Sequence, residues 1–290
     1  MKTIGFIDHY IDEWHANNYP SFIGQSDLGG DYRVAMAWEE TTPEGKKPLS
    51  EWCREYGARQ ARSLEEVVET CDYLMVLSPN NPERHESLAD LPLRSGKPVY
   101  IDKPLALSLA TARRLLRKAQ EHRTSLMSCS ALRYAPGLQA ALAAGSGSAQ
   151  YASTRGPGNW ANYAIHQVEM LVMALGTGAA RVMACAEDPV NLLVVDYLDR
   201  RCGLVQQSPS HPFQISIGTI PNRTAAISEM DGFFPCFIDA LLAFFDSGIS
   251  SVPVAETLEI VAILDAGSTA LTSRNQWHDL PLVPEPAGGL

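Results

Sequence analysis

Residues 73–107 read YLMVLSPNNPERHESLADLPLRSGKPVYIDKPLAL, and this stretch decides the fold. Tyr73–Leu77 (YLMVL) and Val99–Ile101 (VYI) are short, almost continuously apolar runs. Turn residues close each one: Ser78-Pro79 after the first, Asp102-Lys103-Pro104 after the second. Strands buried on both faces of a parallel sheet read this way, whereas a half-solvated strand alternates. Working outward, Thr3–Ile7 (TIGFI), Tyr32–Trp38 (YRVAMAW) and Ser125–Cys129 (SLMSC) are further strands of the same kind.

Helical patterns lie between them. Pro48–Tyr56 stops at Gly57, Ser63 with Glu66 fits a capping box, and Ser108 precedes the run Leu109–Glu121. Strand–helix alternation implies βαβ crossovers, hence a doubly wound α/β domain over residues 1–130. The pattern changes near Leu132. Gly145–Ser148 reads as a flexible turn and Ala149–Thr154 as a strand. Trp160–Leu175 reads as an amphipathic helix, with His166, Asn162 and Glu169 on a solvated polar stripe. Val190–Tyr197, Cys202–Gln207, Gln214–Thr219 and Ala225–Met230 read as antiparallel strands, and Phe237–Phe245 and Ala255–Leu271 as helices. Residues 131–290 therefore read as an α+β domain with an antiparallel sheet, ending in a loose tail, Pro281–Leu290.

The composition agrees with a folded two-domain chain. It has 290 residues, 46% hydrophobic and 19% charged, enough apolar content to fill a core. The net charge of −10 argues against nucleic acid or an anionic membrane as partner. No window approaches 18 continuous apolar residues, and the first apolar run is too short for a signal peptide. The six cysteines form no CxxC pair, which suits free thiols in a reducing cytoplasm.

In a doubly wound domain the ligand sits beyond the carboxyl ends of the strands. The residues that follow each strand are therefore the candidate site. After the first come Asp8, His9, Tyr10, Asp12, Glu13 and His15, with none of the glycines of a GxGxxG turn. This acidic and histidine-bearing loop reads either as a metal cluster or as helix-terminal acids with exposed histidines. After the second strand, Glu39 or Glu40 stands where an acid would hold the ribose hydroxyls of NAD; nearby Lys46 and Lys47 leave NADP open. Ser78 and Asn80 follow the third strand. Asp102 and Lys103 follow the fourth, and there the lysine charge needs no burial.

Four segments in order resemble the Gfo/Idh/MocA family of sugar and inositol oxidoreductases. Tyr73–Glu86 is similar to its strand and T-P-N-x-x-H loop. Gly96–Leu107 is similar to its G-K-x-V-x-x-E-K-P-x-A signature, with Asp102 in place of Glu. Asn162-Tyr-Ala-Ile-His166 is similar to its D-x-x-x-H helix, with Asn162 in place of Asp. Phe237–Gly248 followed by Pro253 is similar to its closing F-x-x-A-x-x-x-G-x-x-P segment. The resemblance implies a Rossmann domain, a second domain with an open antiparallel sheet, and a dimer or tetramer. It implies NAD(P)-dependent oxidation of a sugar or cyclitol hydroxyl, a small-molecule substrate. Lys103 would touch cofactor and substrate, His166 would serve as acid/base, and Asn162 would stand at the acidic partner's position, unable to take a proton. Asp8, His9, Tyr10, Glu39, Ser78, Asn80, Asp102 and Lys103 would line the cofactor. The missing glycines and Asn162 also admit a non-redox member, a binding protein or a lyase or isomerase.

Overall fold

The computed structural model describes residues 1–144, 149–186, 189–219 and 223–281. In chain order the first elements are β1 (Lys2–Asp8), α1 (Trp14–Gln25), β2 (Tyr32–Glu39), α2 (Leu49–Tyr56), β3 (Arg59–Gln60) and α3 (Leu64–Thr70). Then come β4 (Tyr73–Val76), α4 (His85–Leu88), β5 (Val99–Ile101), α5 (Leu109–Glu121) and β6 (Leu126–Met127). Their six strands form one parallel sheet in the order β3-β2-β1-β4-β5-β6. This is the Rossmann order, with its switch point between β1 and β4.

The continuous apolar runs do what their composition requires. Ile4, Phe6 and Ile7 of β1, Leu74, Met75 and Val76 of β4, and all of β5 are at most 1% exposed. Gly57 ends α2 in the left-handed conformation, φ 68°, where a Cβ is strained. Half of the expected capping box forms as read: the Ser63 hydroxyl accepts from the Glu66 amide at 3.4 Å. The Glu66 carboxylate turns instead to the Arg62 amide, 2.7 Å away. The strand expected over Ser125–Cys129 shrinks to Leu126–Met127, because only those residues pair with β5 at the sheet edge.

The remaining elements are α6 (Pro136–Ala144), β7 (Ala149–Gly156), α7 (Trp160–Leu175), β8 (Ala179–Cys185), β9 (Asn191–Tyr197), β10 (Cys202–Gln207), β11 (Gln214–Thr219), β12 (Arg223–Ile227), α8 (Phe233–Ser247), α9 (Val254–Thr272) and β13 (His278–Asp279). Seven strands form the second sheet, in the order β12-β11-β7-β10-β9-β8-β13. It is antiparallel except for one pair: β10 runs parallel to β7. The expected wholly antiparallel sheet is thus a mixed one, since α7, β8 and β9 intervene and bring the chain back in the same direction. Leu132, Leu138, Met170, Ile215 and Ile217 pack into a core on this side. The expected turn at Gly145–Ser148, and the tail beyond Pro281, lie outside the described residues.

The chain divides into two compact units. The first holds Met1–Ala106, Ala110–Ser128 and Pro235–Val252; the second holds Leu107–Leu109, Cys129–Phe234 and Pro253–Leu290. Most of α8 therefore packs in the first unit, although it follows the whole second sheet in sequence. Phe237 lies 5.8 Å from the Tyr19 ring and 5.6 Å from that of Tyr100. Asp246 accepts from the Tyr32 hydroxyl at 2.5 Å and pairs with Lys2.

Candidate active site

The switch point of the first unit is crossed by side chains rather than left open. Asp8 ends β1 and is 1% exposed. Its Oδ1 accepts from the Ser78 hydroxyl at 2.8 Å, and the Ser78 oxygen accepts from the His9 amide at 2.8 Å. Ser78 takes a left-handed backbone, φ 61°, to present its hydroxyl there. The second oxygen, Asp8 Oδ2, is buried with no hydrogen-bond partner.

The loop after β1 leads into α1, a helix for which the sequence gives weak signals because Pro20, Asn17 and Asn18 lie inside it. Glu13 is its N-cap. One carboxylate oxygen accepts from the Ala16 amide at 2.5 Å, the other from the His15 amide at 2.8 Å. Of the two readings of this loop, helix-terminal acids describe Glu13. His15 is not simply exposed: its Nδ1 pairs with Asp102, and its ring stacks on Tyr19, 5.0 Å away at 13°. His9 pairs with Glu40 at 2.8 Å, and Glu40 also binds Arg84. Among the described residues no group of three or more His, Cys, Asp or Glu is placed to hold a metal ion.

Asp102, at the carboxyl end of β5, is fully buried. Its Oδ1 accepts from the Lys103 amide at 2.7 Å. Lys103 is 7% exposed, which corrects the expectation of a solvated lysine: its charge is held beside the buried Asp102. His85, also fully buried, lies between the carbonyls of Leu77 (2.8 Å) and Pro104 (3.0 Å), and so ties the end of β4 to the lysine loop.

Three buried carboxyls thus share one crevice, and their environments split them. Burial would raise Asp102, but the charge and hydrogen bond of His15, with Lys103, outweigh it and hold Asp102 down to about 2. Burial pushes Asp8 up to about 7 against its bonds with Ser78. Burial first, and the Asp8 charge second, push Glu13 up to about 8. A carboxyl raised on folding stabilises the fold fully below its unfolded value near 4 and stops doing so as pH rises through its folded value. Stability should therefore fall as pH rises from about 4 to about 8. Thermal melts of the wild type and Asp8→Asn across this window check it: the variant should show the flatter profile.

Beyond β2, Glu39 lines a cleft of about 350 Å³ with Trp38, Thr41, Ser50, Gln60 and Arg62. Its carboxylate also accepts from the Ile11 amide at 2.8 Å and from the Thr42 hydroxyl. Tyr10 is half-buried, with the Lys46 ammonium 5.1 Å from its ring centroid. Asn80 is exposed and stands outside the cluster.

In the second unit, His166 projects from α7. Its Nδ1 lies 2.6 Å from the Ser130 hydroxyl, and the Tyr163 and Phe213 rings flank it at 6.0 and 5.3 Å. Asn162 is in the first turn of α7, its amide bonded to the Asn159 cap at 3.1 Å. The expected solvated stripe is corrected at Glu169, which is 1% exposed. Its carboxylate accepts from the Ser130 amide and from Arg133 Nε, both at 2.6 Å, and Arg133 reaches Glu256 at 2.8 Å. Glu169 thus anchors the residue that orients His166.

The sequence reading named His15 only within a possible metal cluster and missed Ser130, Arg133 and His85 as supports. Of these, His85 alone carried a signal, as the histidine of the T-P-N-x-x-H-like loop.

Comparison with known proteins bears on the fold. Residues 20–129 match the model of the Gfo/Idh/MocA oxidoreductase family, described as an NAD-binding Rossmann fold. The match begins after β1 and its turn. No curated protein matches the chain. Among solved structures, the scyllo-inositol dehydrogenase of Lactobacillus casei, with bound NAD(H) and scyllo-inositol, is similar at TM-score 0.80 and 12% identity, covering 96% of this chain and 98% of that one. The myo-inositol 2-dehydrogenase of Lactobacillus plantarum follows at 0.79 and 12%, covering 97% and 100%. The WlbA dehydrogenase of Bordetella pertussis, in complex with NADH and UDP-GlcNAcA, stands at 0.78 and 16%, covering 98% and 100%. At these identities the likeness establishes the fold.

Proposed function

We propose that this chain is a member of the Gfo/Idh/MocA family, an NAD-linked oxidoreductase acting on a hydroxyl of a sugar, cyclitol or related small molecule. The observation that carries the reading is Lys103, buried beside Asp102 at the carboxyl end of β5 in a sheet of Rossmann order. Its ammonium orients and polarises the reacting oxygen, and the acid/base role of His166, whose Nδ1 lies 2.6 Å from the Ser130 hydroxyl, rests on the family resemblance. Asn162 cannot share that proton, so His166 works without an acidic partner at that position.

A dinucleotide fits this crevice in part. The cleft beside Glu39 suits an adenosine and its ribose hydroxyls. The first turn does not suit a pyrophosphate in the usual pose, because Glu13 sits on the α1 amides and no glycine opens the turn. The same observation favours a second reading, a non-redox protein on this fold. Calorimetric titration decides between them. NADH is expected to bind, and more tightly than NADPH, because a 2′-phosphate meets Glu39 and Glu40. Absence of binding by either cofactor overturns the oxidoreductase reading. Six cysteines, none of them in a disulfide, support a cytoplasmic setting. Among the described residues no helix is long and apolar enough to cross a membrane. The family resemblance supports assembly as a dimer or tetramer.

A further inference from the structure

One histidine of the first unit is held in the way that acid/base groups are held. Asp102 is fully buried yet stays ionised. An ionised carboxylate only accepts hydrogen bonds. Its Oδ1 takes the Lys103 amide at 2.7 Å and the Tyr100 hydroxyl at 3.4 Å, and its Oδ2 takes His15 Nδ1. The neutral His15 ring therefore carries its proton on Nδ1, and Nε2 keeps its lone pair. The ring is fixed by packing as well. Tyr19 stacks on it at 5.0 Å, and Trp14 meets it edge-on at 5.5 Å and 73°. Among the described residues nothing binds Nε2, and the side chain is 14% exposed, so this nitrogen is the open end of the ring. At His166 the neighbour of Nδ1 is the Ser130 hydroxyl. A hydroxyl donates or accepts, so that bond alone does not choose a tautomer.

We propose that His15 is a further acid/base group of this chain: with Nδ1 fixed by Asp102, its Nε2 takes the proton of a substrate hydroxyl bound beside Lys103 at the carboxyl end of β5. The inference deepens the oxidoreductase reading above and rests on it. Asp102 is the positioning residue, since it binds His15 and also feels the Lys103 charge. A proton acceptor, a polarising cation and the carboxylate that orients them thus stand together in one unit. The step balances as follows: the hydroxyl proton goes to Nε2, the O–H electron pair closes the C=O bond, and the C–H pair leaves as hydride for the oxidised nicotinamide of that reading.

Two measurements test this. The first needs no substrate: nitrogen-15 histidine spectra of the full chain at about pH 8, where an ordinary imidazole is neutral. The His15 ring should be protonated on Nδ1 and bare at Nε2. Asp102→Asn should weaken or reverse that preference, because an amide can donate to Nδ1. The second measurement is turnover, followed as NADH formation with a panel of inositols and sugars. His15→Asn keeps a donor for Asp102 while removing the titratable ring, so it should melt close to the wild type. It should lower kcat by at least about 10²-fold. The fall of kcat/KM towards acid pH, which protonation of the base produces, should vanish in this variant; a merely structural histidine would leave that fall in place. A His15 ring protonated on Nε2 overturns the proposal. So does a His15→Asn protein with wild-type kcat and pH profile, and that result leaves the oxidoreductase reading standing. A folded wild type that turns over no member of the panel overturns that reading, and the proposal with it.

Discussion

Arg133→Met should cost the second unit about 3–5 kcal/mol of stability, the usual scale for leaving one member of a buried ion pair alone. At roughly 2–4 °C per kcal/mol for a unit of this size, the melting temperature should fall by on the order of 10 °C. The reason lies in Glu169. Burial outweighs the attraction of Arg133 and already holds this carboxyl above its ordinary range. Without Arg133 the carboxyl keeps only the Ser130 amide, and Glu256 loses its partner as well. The double variant Arg133→Met with Glu169→Leu separates two causes. If the unpaired charge is the main cost, the double variant recovers much of the loss, since an apolar pair can replace a buried ion pair at little cost. If the double variant melts as low as the single one, packing of the arginine stem is the larger effect. A melt of Arg133→Met at the wild-type temperature would remove the pair from the account of this unit.

Lys103→Met should lower turnover by at least ~10²-fold, the scale for removing a group that stabilises a developing charge. The assay follows NADH formation with a panel of inositols and sugars. The structure changes what the stability control should show. A solvated lysine could be lost silently, but Lys103 is buried and helps keep Asp102 ionised. The variant should therefore also lose ~1–2 kcal/mol, less than a sole partner would cost, because His15 still pairs with Asp102. Lys103→Arg restores the charge but replaces the compact ammonium with a larger planar guanidinium, so it should recover stability and leave turnover low. Wild-type turnover in Lys103→Met would exclude this lysine from the chemistry.

The two halves of the site differ in how far they can be read from sequence. Strand ends are local features, so Asp8, Ser78, Asp102 and Lys103 follow from apolar runs and their closing turns. What those residues do is not local. His15 and Asp102 are 87 positions apart, and Asp8 and Ser78 are 70. Neither pairing leaves a trace in periodicity. The helix α1 escapes because Pro20 and two asparagines lower its intrinsic preference, while Tyr19 and Ile23, both buried, hold it by packing. With α1 unseen, Glu13 is one acid among several rather than a cap. Glu169 is misread for a different reason. A polar residue on a helix is solvated by default, and only the arrival of Arg133 from another segment allows its burial. The parallel β7–β10 pair is hidden too, since direction in a sheet depends on what lies between two strands.

The return of Pro235–Val252 to the first unit bears on how the chain is made. Synthesis runs from the N-terminus, and the last strand of the Rossmann sheet, β6, is complete by Met127. Phe237, which packs on Tyr19 and Tyr100, is still unmade at that moment. At about 5–20 residues per second, the ribosome takes roughly 5–25 s to supply the missing helix. During that interval the nascent sheet shows water an apolar surface that only α8 will cover. The second unit's strands emerge in the meantime and compete for it. A fragment cut at residue 130 would keep that surface open permanently, so it should bind hydrophobic dyes and holdase chaperones that the whole chain ignores.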